Sequence, residues 1–376
     1  LLRQWLGNNT SAFDSIPAEA WSSTQTQGKN AGVCAFYCLA ESGRSLLKQW
    51  FDSNPRAFDS IPAEAWSLSR TQGKNVGTCA FSWMAGTQTG RSLLKQWLGK
   101  NTSAFDSIPA EAWSLSQTQG EDVGTCAFYW LTINQNGLSL LKQWLDSNPG
   151  AFDFIPAEAW SSTRTTGRDA GACALYWLVS TEFGQLMLKR WFDSNPRAFD
   201  SIPAKAWSSM EKQGSGCYAL HYLALTPVGQ TLLAQLLTHN SKIFSEQPLD
   251  CFLHSLDSRG TKKTFIEWLH DSDVFSNEEI LMPIYTAKTL SAIQFYQEQS
   301  GGEKSFSSIF RRHAVGLSEV GSLKERIRNG ITLFELKNEI QRLSTIGELR
   351  KAHFSPLLSL FRRNENHSAS ITFGHK

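Results

Sequence analysis

Two cysteine–histidine pairs are the chain's nearest approach to a nucleophile with its base. Cys217 and His221 stand four residues apart, one helical turn, and Cys251 and His254 stand three apart. A thiol beside an imidazole can surrender its proton and attack an electrophilic carbon. A structural role fits both pairs better. His221 would satisfy backbone groups at a helix start, and Cys251 stands where a sister segment carries the apolar Ala112. All eight histidines lie at or after His221, which excludes histidine acid–base chemistry from everything before it. The chain contains no H-E-x-x-H, no paired C-x-x-C, no phosphate-cradling glycine loop and no G-x-S-x-G. No catalytic, cofactor-binding or metal-ligating residue is therefore assigned, and no cofactor is expected.

The elements that would position any site come from repeated text. LLKQWLGKNTSAFDSIPAEAWSLSQTQGEDVGTCAFYWL begins at Leu93; edited copies begin at Leu1, Leu46 and Leu140, and weaker ones at Met187 and Leu232. Successive starts are 45, 47, 47, 47 and 45 residues apart. A fixed period of this length marks a solenoid, in which each copy buries its apolar face against its neighbours. Each copy reads as three helical pieces. LLKQWL carries Leu93, Leu94, Trp97 and Leu98 as one apolar stripe. SIPAEAWSL opens at Pro109, a residue suited to a first turn, with Asp106 and Ser107 as caps. GTCAFYWL is a compact apolar run entered through glycine.

That last run carries a resemblance. Gly124-x-Cys126-Ala127-Phe128-Tyr129-x-Leu131 follows the spacing of the G-x-T-P-L-H-x-A signature of ankyrin repeats. Gly216, Ala219, Leu220, His221, Leu223 and Ala224 come closer still. The chain thus resembles an ankyrin-like helical solenoid, all-α, with units about 12–14 residues longer than the ankyrin length of about 33. The added SIPAEAW helix falls in the region of the ankyrin hairpin finger, so a stack without a sheet is expected. The array spans residues 1–274; residues 275–376 form a C-terminal helical domain with a polar tail. One long helix is expected across GSLKERIRNGITLFELKNEIQRLS. The tail resembles those of effector proteins that intracellular bacteria inject into host cells, which implies a host cytosol as destination. The chain starts inside a copy, which suggests a fragment.

Candidate recognition residues lie on the array. One position beyond the Tyr/His of the apolar run stand Cys38, Trp83, Trp130, Trp177, Tyr222 and Trp268. The resemblance implies that this position faces a concave groove, where a row of aromatics would bind a protein partner. The competing reading packs the row into the core, where the other two tryptophan series belong: Trp5, Trp50, Trp97, Trp144 and Trp191, and Trp21, Trp66, Trp113, Trp160 and Trp207. The text after the apolar run differs from copy to copy and reads as a recognition loop, so Asn134, Gln135, Glu182 and Phe183 join the candidates.

Composition narrows the partners. Net charge is +2, divided as +4 in residues 275–376 and −2 in the remainder. An array so near neutrality has no footprint for a phosphate backbone, so nucleic acid is not expected. No apolar run is long enough to cross a bilayer. A basic patch at Arg311, Arg312, His313, Lys324, Arg326 and Arg328 offers weak contact with anionic lipid. Seven cysteines, four of them at one copy position (Cys34, Cys79, Cys126, Cys173), suit free thiols in a reducing cytosol. The leading expectation is a non-enzymatic protein-interaction scaffold. The alternative is an enzyme whose catalytic part lies before Leu1 or in 275–376, with the array recruiting substrate. A glycan binder is weaker, because the row lacks neighbouring carboxylates or amides.

Overall fold

The computed structural model describes residues 10–28, 30–210, 217–240 and 307–345, with isolated positions between 243 and 294. The described residues are mostly helical, and no strand occurs among them. The class is all-α. Two compact units divide at Leu233, Leu1–Leu233 and Ala234–Lys376. The boundary expected at 274 lies outside the described residues.

In chain order the first unit holds α1 (Ala18–Ser22), α2 (Ala35–Ser42), α3 (Arg44–Ser53), α4 (Ala63–Ser67), α5 (Ala80–Gly86) and α6 (Gln88–Lys100). There follow α7 (Ala110–Ser114), α8 (Ala127–Thr132), α9 (Gln135–Ser147), α10 (Ala157–Ser161), α11 (Ala174–Val179) and α12 (Glu182–Ser194). Then come α13 (Ala198–Ser201), α14 (Ala204–Trp207), α15 (Ala219–Ala224) and α16 (Pro227–His239), which runs past Leu233. Short 3-10 turns at Ala57–Ser60, Ala104–Ser107 and Ala151–Phe154 precede α4, α7 and α10. Helices from the apolar run pack in succession, α2 on α5, α5 on α8, α8 on α11 and α11 on α15.

The long helices begin earlier than their apolar stripe suggests. Side chains of Thr87, Asn134 and Thr181 cap α6, α9 and α12 by accepting the N–H of Gly90, Gly137 and Gly184 at 3.2, 2.9 and 3.1 Å. The glycine is forced: a Cβ at Gly137 would sit 2.2 Å from the Leu131 carbonyl oxygen of the helix before. The stretches read as variable loops are therefore helix caps and first turns. Asn134 is the cap of α9, and Gln135, Glu182 and Phe183 are helical.

Pro109 precedes α7 with φ −64° and ψ 147°, and no side chain caps that helix. Asp106 does something else. Its Oδ1 accepts the indole N–H of Trp144 at 2.8 Å and the Asn148 amide at 3.2 Å, both in the next copy. Asp14, Asp59 and Asp153 hold Trp50, Trp97 and Trp191 in the same way at 2.8–2.9 Å. These indoles stack on the tryptophans of the AEAW helices: Trp21 on Trp50, Trp66 on Trp97, Trp113 on Trp144 and Trp160 on Trp191, with centroids 5.0–5.3 Å apart and planes within 12°. All eight are buried, as expected of the two core series; Trp5 lies outside the described residues.

A hairpin does form, after the third helix rather than displaced by it. Gln117 N–H donates to Thr125 O at 3.0 Å and Gly124 N–H to Gln117 O at 2.8 Å, while Thr118 N–H reaches Val76 O of the preceding copy at 2.8 Å. These bonds make no sheet among the described residues; neighbouring copies carry isolated bridges at the matching place, Ser69 with Cys79 and Thr163 with Cys173. Gly124 adopts φ +88°, and a Cβ there would fall 1.9 Å from Thr163 O.

In the second unit, α17 (Ser307–Arg328) and α18 (Leu333–Ser344) pack on each other, and their Val320, Leu323, Leu336, Ile340 and Leu343 are buried. They form a helical hairpin where one long helix was expected. Gly330 turns the chain at φ +88°, and Thr332 with Glu335 makes a capping box at the restart.

Candidate binding site on the aromatic row

The two nucleophile candidates are not accessible. Cys217 and His221 are 3% and 0% exposed, and His221 Nδ1 accepts the Tyr218 N–H at 3.2 Å, a helix-start role. Cys251 is buried, and burial pushes its thiol far above the ordinary value; His254 lies outside the described residues. No grouping of three or more His, Cys, Asp or Glu suited to a metal occurs among the described residues.

Cys34, Cys79, Cys126 and Cys173 are buried free thiols facing the AEAW helix of the next copy, where Sγ donates to Ala65, Ala112, Ala159 and Ala206 carbonyls at 3.5–3.9 Å. Burial raises all four, Cys126 to about 12. Cys38 differs: it is exposed. It occupies the row position of copy 1, where every later copy has an aromatic.

The row itself is neither open groove nor core. Trp83, Trp130, Trp177 and Tyr222 are all half-buried; Trp268 lies outside the described residues. A cavity of about 140 Å³ opens between Trp83 of α5 and Trp130 of α8. Asn75, Thr78, Ser82, Gly86, Thr87, Gln117 and Asp122 complete its lining. Amides and a carboxylate thus do flank the row, against the sequence reading; they arrive from the hairpins, which that reading left out.

Most of the polar lining is already engaged. Thr78 Oγ1 bonds the Tyr37 hydroxyl at 2.7 Å, Thr87 caps α6, and Ser82 Oγ lies 3.3 Å from Cys79 Sγ. The Asp122 carboxylate is paired with Arg164 at 2.7 Å. Gln117 spends its amide N–H on Gln119 O at 2.6 Å. Gly86 lies flat on the Trp130 ring, since a Cβ there would meet the indole at 3.6–3.7 Å.

The other candidates are placed less favourably. Asn134 gives both ends of its amide to backbone, Oδ1 to Gly137 N–H and Nδ2 to Trp130 O, each at 2.9 Å. Gln135 and Glu182 are exposed and Phe183 is half-buried. In the second unit, Arg326 pairs with Glu339 and Arg328 with Glu325, so this part of the basic patch is offset by carboxylates. No described helix is long and apolar enough to cross a membrane.

Compared with known protein families, curated proteins and solved structures, the chain matches none of them.

Proposed function

We propose that the first unit is an ankyrin-like helical solenoid serving as a protein-interaction scaffold, with the aromatic row as its contact surface. One observation carries the reading: eight tryptophans of two series are buried and paired, whereas Trp83, Trp130, Trp177 and Tyr222 keep part of each ring in solvent at one repeated position. Partly exposed Trp and Tyr in register, one per copy, supply rigid apolar contact area, the usual anchor of a protein interface. Cavity size supports a side chain as the object bound. Small-molecule sites typically measure about 300–1,000 Å³, and the cavity between Trp83 and Trp130 is less than half the lower figure.

The polar C-terminal segment and the free thiols lead us to place the protein's work in a host cytosol, as a bacterial effector. The scaffold reading is tested by comparing partner capture by the full chain and by a Trp83→Ala/Trp177→Ala variant, with circular dichroism as the folding control. The same captured species lost on substitution supports the row; unchanged capture by a folded variant refutes it.

A further inference from the structure

Copy 1 displays what ordinarily fills the space beside the row. The Tyr37 ring reaches into the next copy, its hydroxyl bonded to Thr78 Oγ1 at 2.7 Å. The Arg70 guanidinium lies 5.3 Å from the ring centroid and pairs with Glu41 at 3.0 Å. Tyrosine, glutamate and arginine form one filled plug.

One copy later the equivalent positions are Ser82, Gly86 and Gln117. All three are shorter, and all three line the cavity between Trp83 and Trp130. Two copies later the tyrosine and arginine return as Tyr129 and Arg164, and Tyr176 follows with its hydroxyl 3.0 Å from that of Tyr222. The gap therefore lies over the position where copies 1 and 3 carry a tyrosine ring. Its volume, about 140 Å³, is close to the roughly 150 Å³ of an engineered cavity that takes up benzene.

The walls also hold polar groups fit for a phenol. The Trp83 and Trp177 indole N–H groups approach the hydroxyls of Tyr37 and Tyr129 without reaching hydrogen-bond geometry. Trp130 holds the same position, but Ser82 is too short to present a hydroxyl to it. The Trp130 indole and the Gln117 side chain both line the space that such a hydroxyl would occupy. Asp122 is matched by Arg164, so the cavity carries no unpaired carboxylate that would favour a cation.

We propose that this cavity receives a phenol ring from outside the chain, the side chain of a tyrosine on the partner, seated between Trp83 and Trp130 over Ser82. The identity of the donor rests on the scaffold reading; the fit of the ring does not. Calorimetric titration of the full chain with p-cresol is the direct test. One p-cresol per chain is expected to bind with a dissociation constant of about 1 mM, in line with so small a ligand. N-acetyl-tyrosinamide should bind comparably, and N-acetyl-leucinamide and glucose at least about tenfold more weakly.

Ser82→Tyr, which rebuilds the plug of copy 1, should abolish p-cresol binding and raise the melting temperature. Gly86→Glu fills the cavity from one turn further along the same helix and should likewise abolish p-cresol binding should Ser82→Tyr fail to fold. No saturable p-cresol binding, or binding undiminished in a folded filled variant, overturns the proposal. Equal binding of leucinamide or glucose does so too, the latter by assigning the cavity to a sugar. Binding of p-cresol without N-acetyl-tyrosinamide refutes the side-chain assignment in favour of a free phenol. Since p-cresol needs no partner, its failure leaves the scaffold reading standing, and loss of that reading leaves the titration intact.

Discussion

Asp106→Ala removes one acceptor that serves two donors across a copy boundary. Its effect follows from where those donors are left. Asn148 is half-buried and its amide bond to Asp106 is exposed, so water replaces the carboxylate there at little cost. Trp144 is 0% exposed, and its N–H loses the partner it holds at 2.8 Å. Leaving a buried donor unsatisfied costs about 1–3 kcal/mol. Asp106 is itself exposed, so the vacated space admits water and the lower half of that range applies, about 1–2 kcal/mol. The measurement is urea unfolding followed by far-ultraviolet circular dichroism, read at the first transition, because a chain of two compact units need not unfold in one step. Trp144→Phe supplies the control. Without the indole N–H, Asp106→Ala should cost no more than an ordinary surface change, about 0.5 kcal/mol or less. Equal costs in the two backgrounds would refute the clasp and reduce Asp106 to a solvated charge.

The sequence discloses this architecture unevenly, and the reasons are physical. Helical class and the two buried tryptophan series follow from apolar spacing, because burying an aromatic face is the dominant local term. The clasp was invisible: Asp106 sits three residues before Pro109 in SIPAEAW, where a helix cap is the obvious role, and its partners are 38 and 42 residues away. The helix starts at Gln135 and Glu182 were misread as loops because the signal is one cap and one glycine, not an apolar period. A Thr or Asn three residues before each Gly, Thr87 before Gly90, Asn134 before Gly137 and Thr181 before Gly184, was the available clue, because a cap accepts the N–H three residues on. The cavity was legible too, as the replacement of Tyr37, Glu41 and Arg70 by Ser82, Gly86 and Gln117. Seeing it required knowing that these residues, up to 33 apart, share one plug.

Thiol labelling of the native chain should mark Cys38 first, since Cys34, Cys79, Cys126 and Cys173 are buried; its rate should still climb beyond pH 9, because partial burial and then Glu41 raise its thiol from 9.0. Fast labelling of Cys126 would contradict the packing. Gly137→Ala should destabilise the chain in urea melts, as its Cβ would collide with Leu131 O, whereas Gly86→Ala should be neutral or stabilising by up to about 1 kcal/mol, since its Cβ meets only the Trp130 face at 3.6 Å. Alkaline unfolding should respond to Tyr129, whose hydroxyl burial raises from 10.0 to about 12. The neutral phenol's contribution is complete below pH 10 and lost as pH rises toward 12, so Tyr129→Phe should flatten that part of the stability profile. Trp113→Ala and Trp130→Ala then weigh core against contact surface. Trp113 is 0% exposed, stacked on Trp144 at 5.0 Å and edge-on to Phe105 and Phe128, so its truncation should cost roughly 3–5 kcal/mol. Trp130 is half-buried and already borders a cavity, so fewer contacts vanish and the surroundings gain solvent rather than a void; about 1–2 kcal/mol is expected. Paired urea melts decide: a loss at Trp130 equal to that at Trp113 would make the row part of the core and remove the basis for reading it as a contact surface, while the smaller loss keeps the row available for the contact proposed.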